Sequence, residues 1–209
     1  IGRVLAALRK SGMYENTVII FFSDHGDMLG DHHLWRKTYA YEGSAKIPML
    51  LRWPKNMGMD RQRGKSLGQP TELRDILPTF LDAAGAPAPN HLDGKSLLEL
   101  VRGNTKNWRP FIGLEHSMCY NKDHWNALTD GKVKYIYYAF DGREELFDLT
   151  NDPNELHNLS AKPAHKNMLL KWRRRMVEHL SERGEQFVSG GKLAIRKERL
   201  LYSPPFPKE

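Results

Sequence analysis

Apolar positions along this chain fall into two periods, helical in some stretches and continuous or alternating in others. Ile1, Val4, Leu5 and Leu8 share one helical face, and Ser11-Gly12 stops that helix. Thr17-Val18-Ile19-Ile20-Phe21-Phe22 is apolar throughout after Thr17, which predicts a strand covered on both faces, as in parallel sheets flanked by helices. Ile47-Pro48-Met49-Leu50-Leu51-Arg52 predicts a second short strand, with Pro48 tolerable at an edge or a strand entry. Lys55 to Gln69 is a Gly-rich basic loop. Asp75 reads as the N-cap of a helix with Pro78 in its first turn and Gly85 at its end, and Ala86-Pro87-Ala88-Pro89-Asn90 cannot continue it.

From about residue 106 the runs are shorter and β-rich. Phe111–Leu114, Trp125–Leu128, Val133–Tyr138 and Glu145–Leu149 are separated in part by Asp130-Gly131 and Asp141-Gly142, both hairpin signals. Pro163 to Leu180 then predicts a helix whose stripe of Met168, Leu169, Trp172, Met176 and Leu180 packs on the sheet. The tail, with Tyr202-Ser203-Pro204-Pro205-Phe206-Pro207, reads as an extended segment. The expected fold is α/β: residues 1–105 form part of a doubly wound, mainly parallel sheet with flanking helices. Residues 106–209 form a smaller α+β subdomain with a four-stranded antiparallel sheet, a packing helix and an extended tail.

The first predicted strand runs into Ser23-Asp24-His25-Gly26-Asp27-Met28-Leu29-Gly30-Asp31-His32-His33-Leu34-Trp35-Arg36-Lys37. In open α/β sheets ligands bind beyond the carboxyl ends of the strands, so this segment is well placed for chemistry. Asp24 and Asp27 offer hard oxygens to a divalent cation, His25, His32 and His33 offer imidazole, and Lys37 offers a fixed positive charge to an anion. Gly26 supplies backbone freedom there. With 209 residues and 40% hydrophobic content the chain can bury a core, and its net charge of +7 favours anionic partners without choosing among them. The late basic runs Lys171-Trp172-Arg173-Arg174-Arg175 and Arg196-Lys197-Glu198-Arg199 read mainly as a solvated helix face. A lone cysteine, Cys119, excludes an internal disulfide, and no apolar stretch reaches membrane-spanning length.

Ser23 to His32 with Leu34-Trp35 and Lys37 resembles the second conserved block of the type I sulfatases, calcium-dependent sulfate-ester hydrolases of the alkaline phosphatase superfamily. Three later segments agree in order: Asp75 to Gly85, Asp93-Gly94-Lys95-Ser96-Leu97-Leu98, and Glu145 to Leu159 with its Asp152-Pro153-Asn154-Glu155. The resemblance covers roughly residues 1 to 160 and places them in that family's carboxyl-terminal part. It implies an upstream Cys or Ser-x-Pro-x-Arg segment whose first residue becomes the formylglycine nucleophile. No such segment occurs here, the paired amino-terminal aspartates are absent, and the chain opens on Ile1. The chain is therefore expected to be a carboxyl-terminal piece, inactive alone, with the missing amino-terminal part of the same enzyme as its partner.

A sulfate monoester must be held, oriented and relieved of charge as its leaving oxygen departs, and cations do that work. The expected roles are Asp24 and His25 as metal ligands, Lys37 as sulfate-binding cation, and His32 beside the leaving group. His116, after Glu115 at the end of a predicted strand, joins Lys37 and His32 as a candidate substrate contact. His25 stands where many sulfatases have Asn. Calcium is the expected cofactor, with magnesium or manganese next. The expected substrate is an aryl or carbohydrate sulfate, without nucleic acid or membrane, and the resemblance implies a periplasmic or extracellular location. Two alternatives stay open: a phosphonate monoester or phosphodiester hydrolase of the same superfamily, and a non-catalytic basic module that binds glycans.

Overall fold

The structure, a computed structural model, describes residues 1–117 and 124–198; Cys119 and the expected extended tail lie outside the described residues. In chain order the elements are α1 (Gly2–Lys10), β1 (Ile19–Phe22), α2 (Glu42–Ala45), β2 (Met49–Arg52), α3 (Ile76–Ala84), α4 (Leu97–Arg102), β3 (Ile112–His116), β4 (Trp125–Thr129), β5 (Val133–Tyr138), β6 (Arg143–Asp148), α5 (Lys166–Leu180), β7 (Val188–Ser189) and β8 (Lys192–Leu193). They group into two compact units, residues 1–24 with 47–109 and residues 25–46 with 110–209.

In the first unit, β1 and β2 pair antiparallel, with Ile19 opposite Arg52 and Phe22 opposite Met49. The α/β class is as expected, while this pair runs antiparallel where the apolar run pointed to a parallel neighbour; antiparallel edge pairs are common in mainly parallel sheets. Nor is β1 covered on both faces, for Phe21 and Phe22 are 43% and 39% exposed, and Val4 on α1 and Leu50 on β2 are exposed as well. Arg52 fixes one end of the pair by stacking on the Tyr14 ring at 4.1 Å and donating to the carbonyl oxygens of Tyr14 and Thr17 at 2.5 and 2.7 Å. Trp53, Met59, Leu98 and Val101 form this unit's core.

Asp75 does not cap α3 through its side chain. It is the third residue of a 3-10 turn, Leu73–Asp75, whose capping box it shares with Glu72. Its carboxylate has no exposed surface and accepts two hydrogen bonds of 2.6 Å from Arg109, one of 2.8 Å from the Lys95 amide and one of 3.0 Å from the Glu72 amide. A buried carboxylate with a guanidinium in reach takes that partner rather than a helix terminus. The 93–95 segment comes so close that a Cβ on Gly94 would lie 1.9 Å from the Arg74 carbonyl oxygen. Beyond it, Ser96 caps α4 by accepting from the Leu98 amide at 3.2 Å, and Gly103 ends α4 at φ +89°. The local signals for α4 lie in the sequence, where Ser96, Glu99 and Gly103 spell a cap, a first-turn acid and a stop.

The second unit is built on one four-stranded antiparallel sheet, β3-β4-β5-β6, as the sequence predicts. At the β4–β5 turn Asp130 Oδ1 accepts from the Lys132 and Val133 amides at 3.0 and 2.9 Å, with Gly131 at φ +83°. One face carries Leu128, Tyr135, Tyr137 and Leu146 against Leu169, Trp172, Met176 and Leu180 of α5, with Met168 at the margin. The opposite face carries Trp125, Ala127, Ile136, Tyr138 and Phe147 against Ala40 and Tyr41. Both faces of β4 and β5 are thus covered, by α5 on one side and by segment 25–46 on the other. The β7–β8 hairpin turns on Gly190-Gly191 at φ +56° and +72°, a two-glycine turn signal.

Candidate functional site

Segment 25–46 carries most of the candidate residues, and its path is set by close backbone approach. A Cβ on Gly26 would stand 2.1 Å from the Gly43 carbonyl oxygen, so Gly26 is needed for proximity rather than for the backbone freedom expected of it. Its amide donates to the Ser44 carbonyl at 2.9 Å. Asp27 Oδ1 accepts from the Leu29 and Arg36 amides at 3.0 and 3.1 Å, and the Met28 amide donates to the Arg36 carbonyl at 2.9 Å above a fully buried Met28 side chain. Six described non-glycine residues have a left-handed φ, and five of them, Leu29, His32, His33, Arg36 and Thr38, lie in this segment. Such conformations are costly and persist only where surrounding contacts enforce them.

These contacts come from the second unit's sheet. Trp125 Nε1 donates to the Thr38 carbonyl at 3.0 Å, and the Tyr41 hydroxyl donates to Glu145 at 3.0 Å. Tyr138 donates to the same Glu145 oxygen at 3.2 Å, and Arg143 reaches the other at 3.1 Å. Burial first, and then the Glu145 charge, pushes the Tyr41 hydroxyl up to about 12, so it remains a donor.

His25 and Lys37 meet. His25 Nδ1 lies 2.6 Å from the Gly26 carbonyl oxygen and can only donate there, which leaves Nε2 to accept from the Lys37 ammonium at 2.9 Å. The imidazole is thereby a neutral tautomer that fixes the ammonium. His32 is placed differently: it stacks flat on Tyr41, centroids 4.2 Å apart and planes 7° apart, with Nε2 3.0 Å from the Asn154 carbonyl. Only Nδ1 of His32 then remains for other chemistry. His116 ends β3, its ring 6.2 Å from that of Trp125. Burial holds its pKa below the ordinary histidine value, and its Nε2 has no hydrogen-bond partner among the described residues. Asp24 closes one stretch of the first unit, and His25 opens the second.

Among the described residues no group of three or more His, Cys, Asp or Glu side chains is arranged to hold a metal ion. Asp24 and His25 are neighbours along the chain, and Nε2 of His25 faces the Lys37 ammonium. A hard-cation site that used this pair would need further oxygen ligands.

A buried ionic cluster under segment 25–46 escaped the sequence reading. Lys134 on β5 has no exposed surface, and its ammonium lies 2.8 Å from both Glu42 and Glu155. The second Glu155 oxygen accepts from the Glu42 amide at 2.6 Å. Burial pushes both carboxyls up; at Glu42 the Lys134 and Lys46 charges outweigh it and the net shift is downward, while at Glu155 burial prevails and the net shift is upward. The signal available was Lys134 itself, a cation on the same strand face as Ile136 and Tyr138.

The family model for N-sulphoglucosamine sulphohydrolase, carboxyl-terminal part, matches residues 30–182. An arylsulfatase of Clostridium perfringens is 38% identical over 193 residues, which cover 92% of this chain and 40% of that protein. Among solved structures, one described in complex with its substrate D-glucosamine-2-N,6-O-disulfate matches with a TM-score of 0.72 at 25% identity, covering 87% of this chain and 37% of that one. The phosphonate monoester hydrolase of Agrobacterium radiobacter matches with a TM-score of 0.73 at 27% identity, covering 94% of this chain and 42% of that one. The chain thus spans about 40% of the length of these proteins. No described helix is long and apolar enough to cross a membrane. By the family match over residues 30–182 and the likeness to the Clostridium enzyme, the chain belongs to the sulfatase family and corresponds to its carboxyl-terminal part.

Proposed function

We propose that the protein of which this chain is a part hydrolyses the sulfate ester of an aryl or sugar alcohol, with Lys37 binding the sulfate. The observation that carries this reading is the Lys37 ammonium held 2.9 Å from the neutral Nε2 of His25. An ammonium has three donors; one goes to His25 and two remain for anionic oxygens. Lys37 is exposed, so the cation is reachable. Asp24 and His25 are proposed as ligands of a divalent cation, calcium first and magnesium or manganese next, which would polarise a sulfuryl oxygen. His25 can join that shell only if Lys37 shifts from Nε2. His32 and His116 are proposed on the substrate side, His32 through its Nδ1. The nucleophile is proposed to be a formylglycine upstream of Ile1, which leaves the isolated chain inactive. The matched family's name and the glucosamine disulfate in the similar structure support a sulfated glycan as substrate. The reading extends to a periplasmic or extracellular location.

A second reading, a phosphonate monoester hydrolase, is favoured by the likeness to the Agrobacterium enzyme over 94% of this chain. The third, a non-catalytic glycan-binding module, would rest on Arg173 to Arg175. Of these, Arg173 is paired with Glu144 at 2.5 Å, Arg174 lies 3.7 Å from Glu178 and Arg175 lies 4.6 Å over the Trp172 ring, so all three arginines have partners within the chain.

The deciding experiment gives the full-length protein an aryl sulfate and an aryl phosphonate monoester side by side. Faster turnover of the sulfate supports the first reading and faster turnover of the phosphonate the second. Heparin binding with neither activity supports the third. Lys37→Ala should lower turnover of the preferred ester by about two to three powers of ten without unfolding the protein. Unchanged turnover removes Lys37 from the site.

A further inference from the structure

We infer that Glu155, acting with Lys134 through Glu42, is a positioning residue for segment 25–46 and so for the His25–Lys37 pair. This rests on the reading of that pair as part of the site. The path is continuous. One Glu155 oxygen contacts buried Lys134 at 2.8 Å, and the other accepts the Glu42 amide at 2.6 Å. Glu42 opens α2, whose Ser44 accepts the Gly26 amide at its carbonyl and the Thr38 amide at its hydroxyl, at 2.9 and 3.2 Å. Gly26 in turn holds His25 Nδ1 at 2.6 Å, and His25 holds Lys37. Beside Glu155, the Asn154 carbonyl lies 3.0 Å from His32 Nε2, a second tie to the same segment.

Two features separate this arrangement from a simple stability bolt. A buried ion pair is an inefficient source of stability, because desolvation offsets most of the attraction and an apolar filling of equal volume often does as well. A charged oxygen that meets one particular backbone amide instead fixes where that amide lies. The backbone agrees, for of the six described non-glycine residues at left-handed φ, five lie in segment 25–46 and the sixth is Glu155, at +55°. Strain on both sides of one contact marks a geometry that the surroundings hold in place.

The test compares full-length enzyme with Glu155→Ala and Glu155→Gln by backbone hydrogen exchange, and by kcat and KM on an aryl sulfate. In Glu155→Ala the amides of Gly26, Met28 and Ser44 should exchange about tenfold faster or more while those of β4 and β5 keep their rates. kcat should fall about 10- to 100-fold, the usual effect of losing a group that orients a site residue. Glu155→Gln keeps an acceptor for the Glu42 amide and should fall between wild type and Glu155→Ala in both measures. If Glu155→Ala does not fold, Glu155→Gln decides alone through faster exchange confined to 26–44 and a lower kcat. Wild-type exchange across 26–44 in the variants, or exchange quickened equally in β4 and β5, overturns the inference, as does wild-type kcat beside a loosened segment. If wild type hydrolyses no sulfate ester, the reading of the site fails, and the exchange comparison still decides whether Glu155 fixes the segment.

Discussion

A carboxylate with no exposed surface must find its counter-charge within the chain, and Asp75 finds Arg109 at 2.6 Å through both oxygens. Removing Asp75 leaves the largely buried Arg109 guanidinium with the more distant Glu72, at 3.6 Å, as its counter-charge. Asp75→Ala should therefore destabilise the protein by about 3–5 kcal/mol, whereas the double change Asp75→Leu with Arg109→Met should cost less than Asp75→Ala alone, both read by urea unfolding. Lys37 presents the opposite case, an exposed ammonium whose partner is a neutral imidazole. Contacts of that kind add little to stability, so its loss should appear in turnover and not in the unfolding midpoint.

Between elements, α5 and the sheet were legible because their order is periodic. Met168, Leu169, Trp172, Met176 and Leu180 repeat at helical spacing, and Asp130-Gly131 and Asp141-Gly142 mark turns by local chemistry. Trp172, 2% exposed, lies in the middle of that contact, and Trp172→Ala should cost about 3–5 kcal/mol in calorimetric or urea unfolding. What the sequence did not disclose is long-range and aperiodic. Nothing local shows that Tyr41 lies on Glu145 or that Glu42 and Glu155 share Lys134, since those partners are 104, 92 and 21 positions apart. For the candidate site, residue types and motif order singled out His25 and Lys37, and their mutual contact had no signature in the spacing. His32 likewise gave no sign that one ring nitrogen is occupied by Asn154.

For the whole molecule, a net charge of +7 makes acid the more dangerous direction, since each protonated carboxylate adds to an existing positive excess. Hydrogen bonds from Arg102 hold the Asp82 carboxyl below its ordinary range against the opposing effect of burial, and Ser96 adds to them. A carboxyl lowered on folding stabilises the protein above its unfolded pKa, and that contribution is lost as pH falls through the folded one. Glu155 has the opposite sign: raised on folding, it makes stability decline as pH climbs from its unfolded to its folded pKa. Stability should thus drop steeply below about pH 4, and Asp82→Asn should flatten that drop in urea midpoints taken across the acid range.

The chain passes from one compact unit to the other three times, between Asp24 and His25, between Lys46 and Ile47, and between Arg109 and Pro110. Neither unit is therefore a single stretch of gene. A truncation that begins at Pro110, the natural cut for anyone reading a boundary from composition, would keep the four-stranded sheet and α5 but discard the layer over Trp125, Ile136 and Phe147. Those side chains would become an aggregating surface, and the ammonium of Lys134 would keep one of its two counter-charges. Circular permutation faces the same geometry: new termini belong in the exposed turns of the hairpins, at Gly131 or Gly190-Gly191, and not at the crossings. Pieces of this fold must be exchanged between relatives as interleaved sets, with 25–46 travelling together with the sheet it covers.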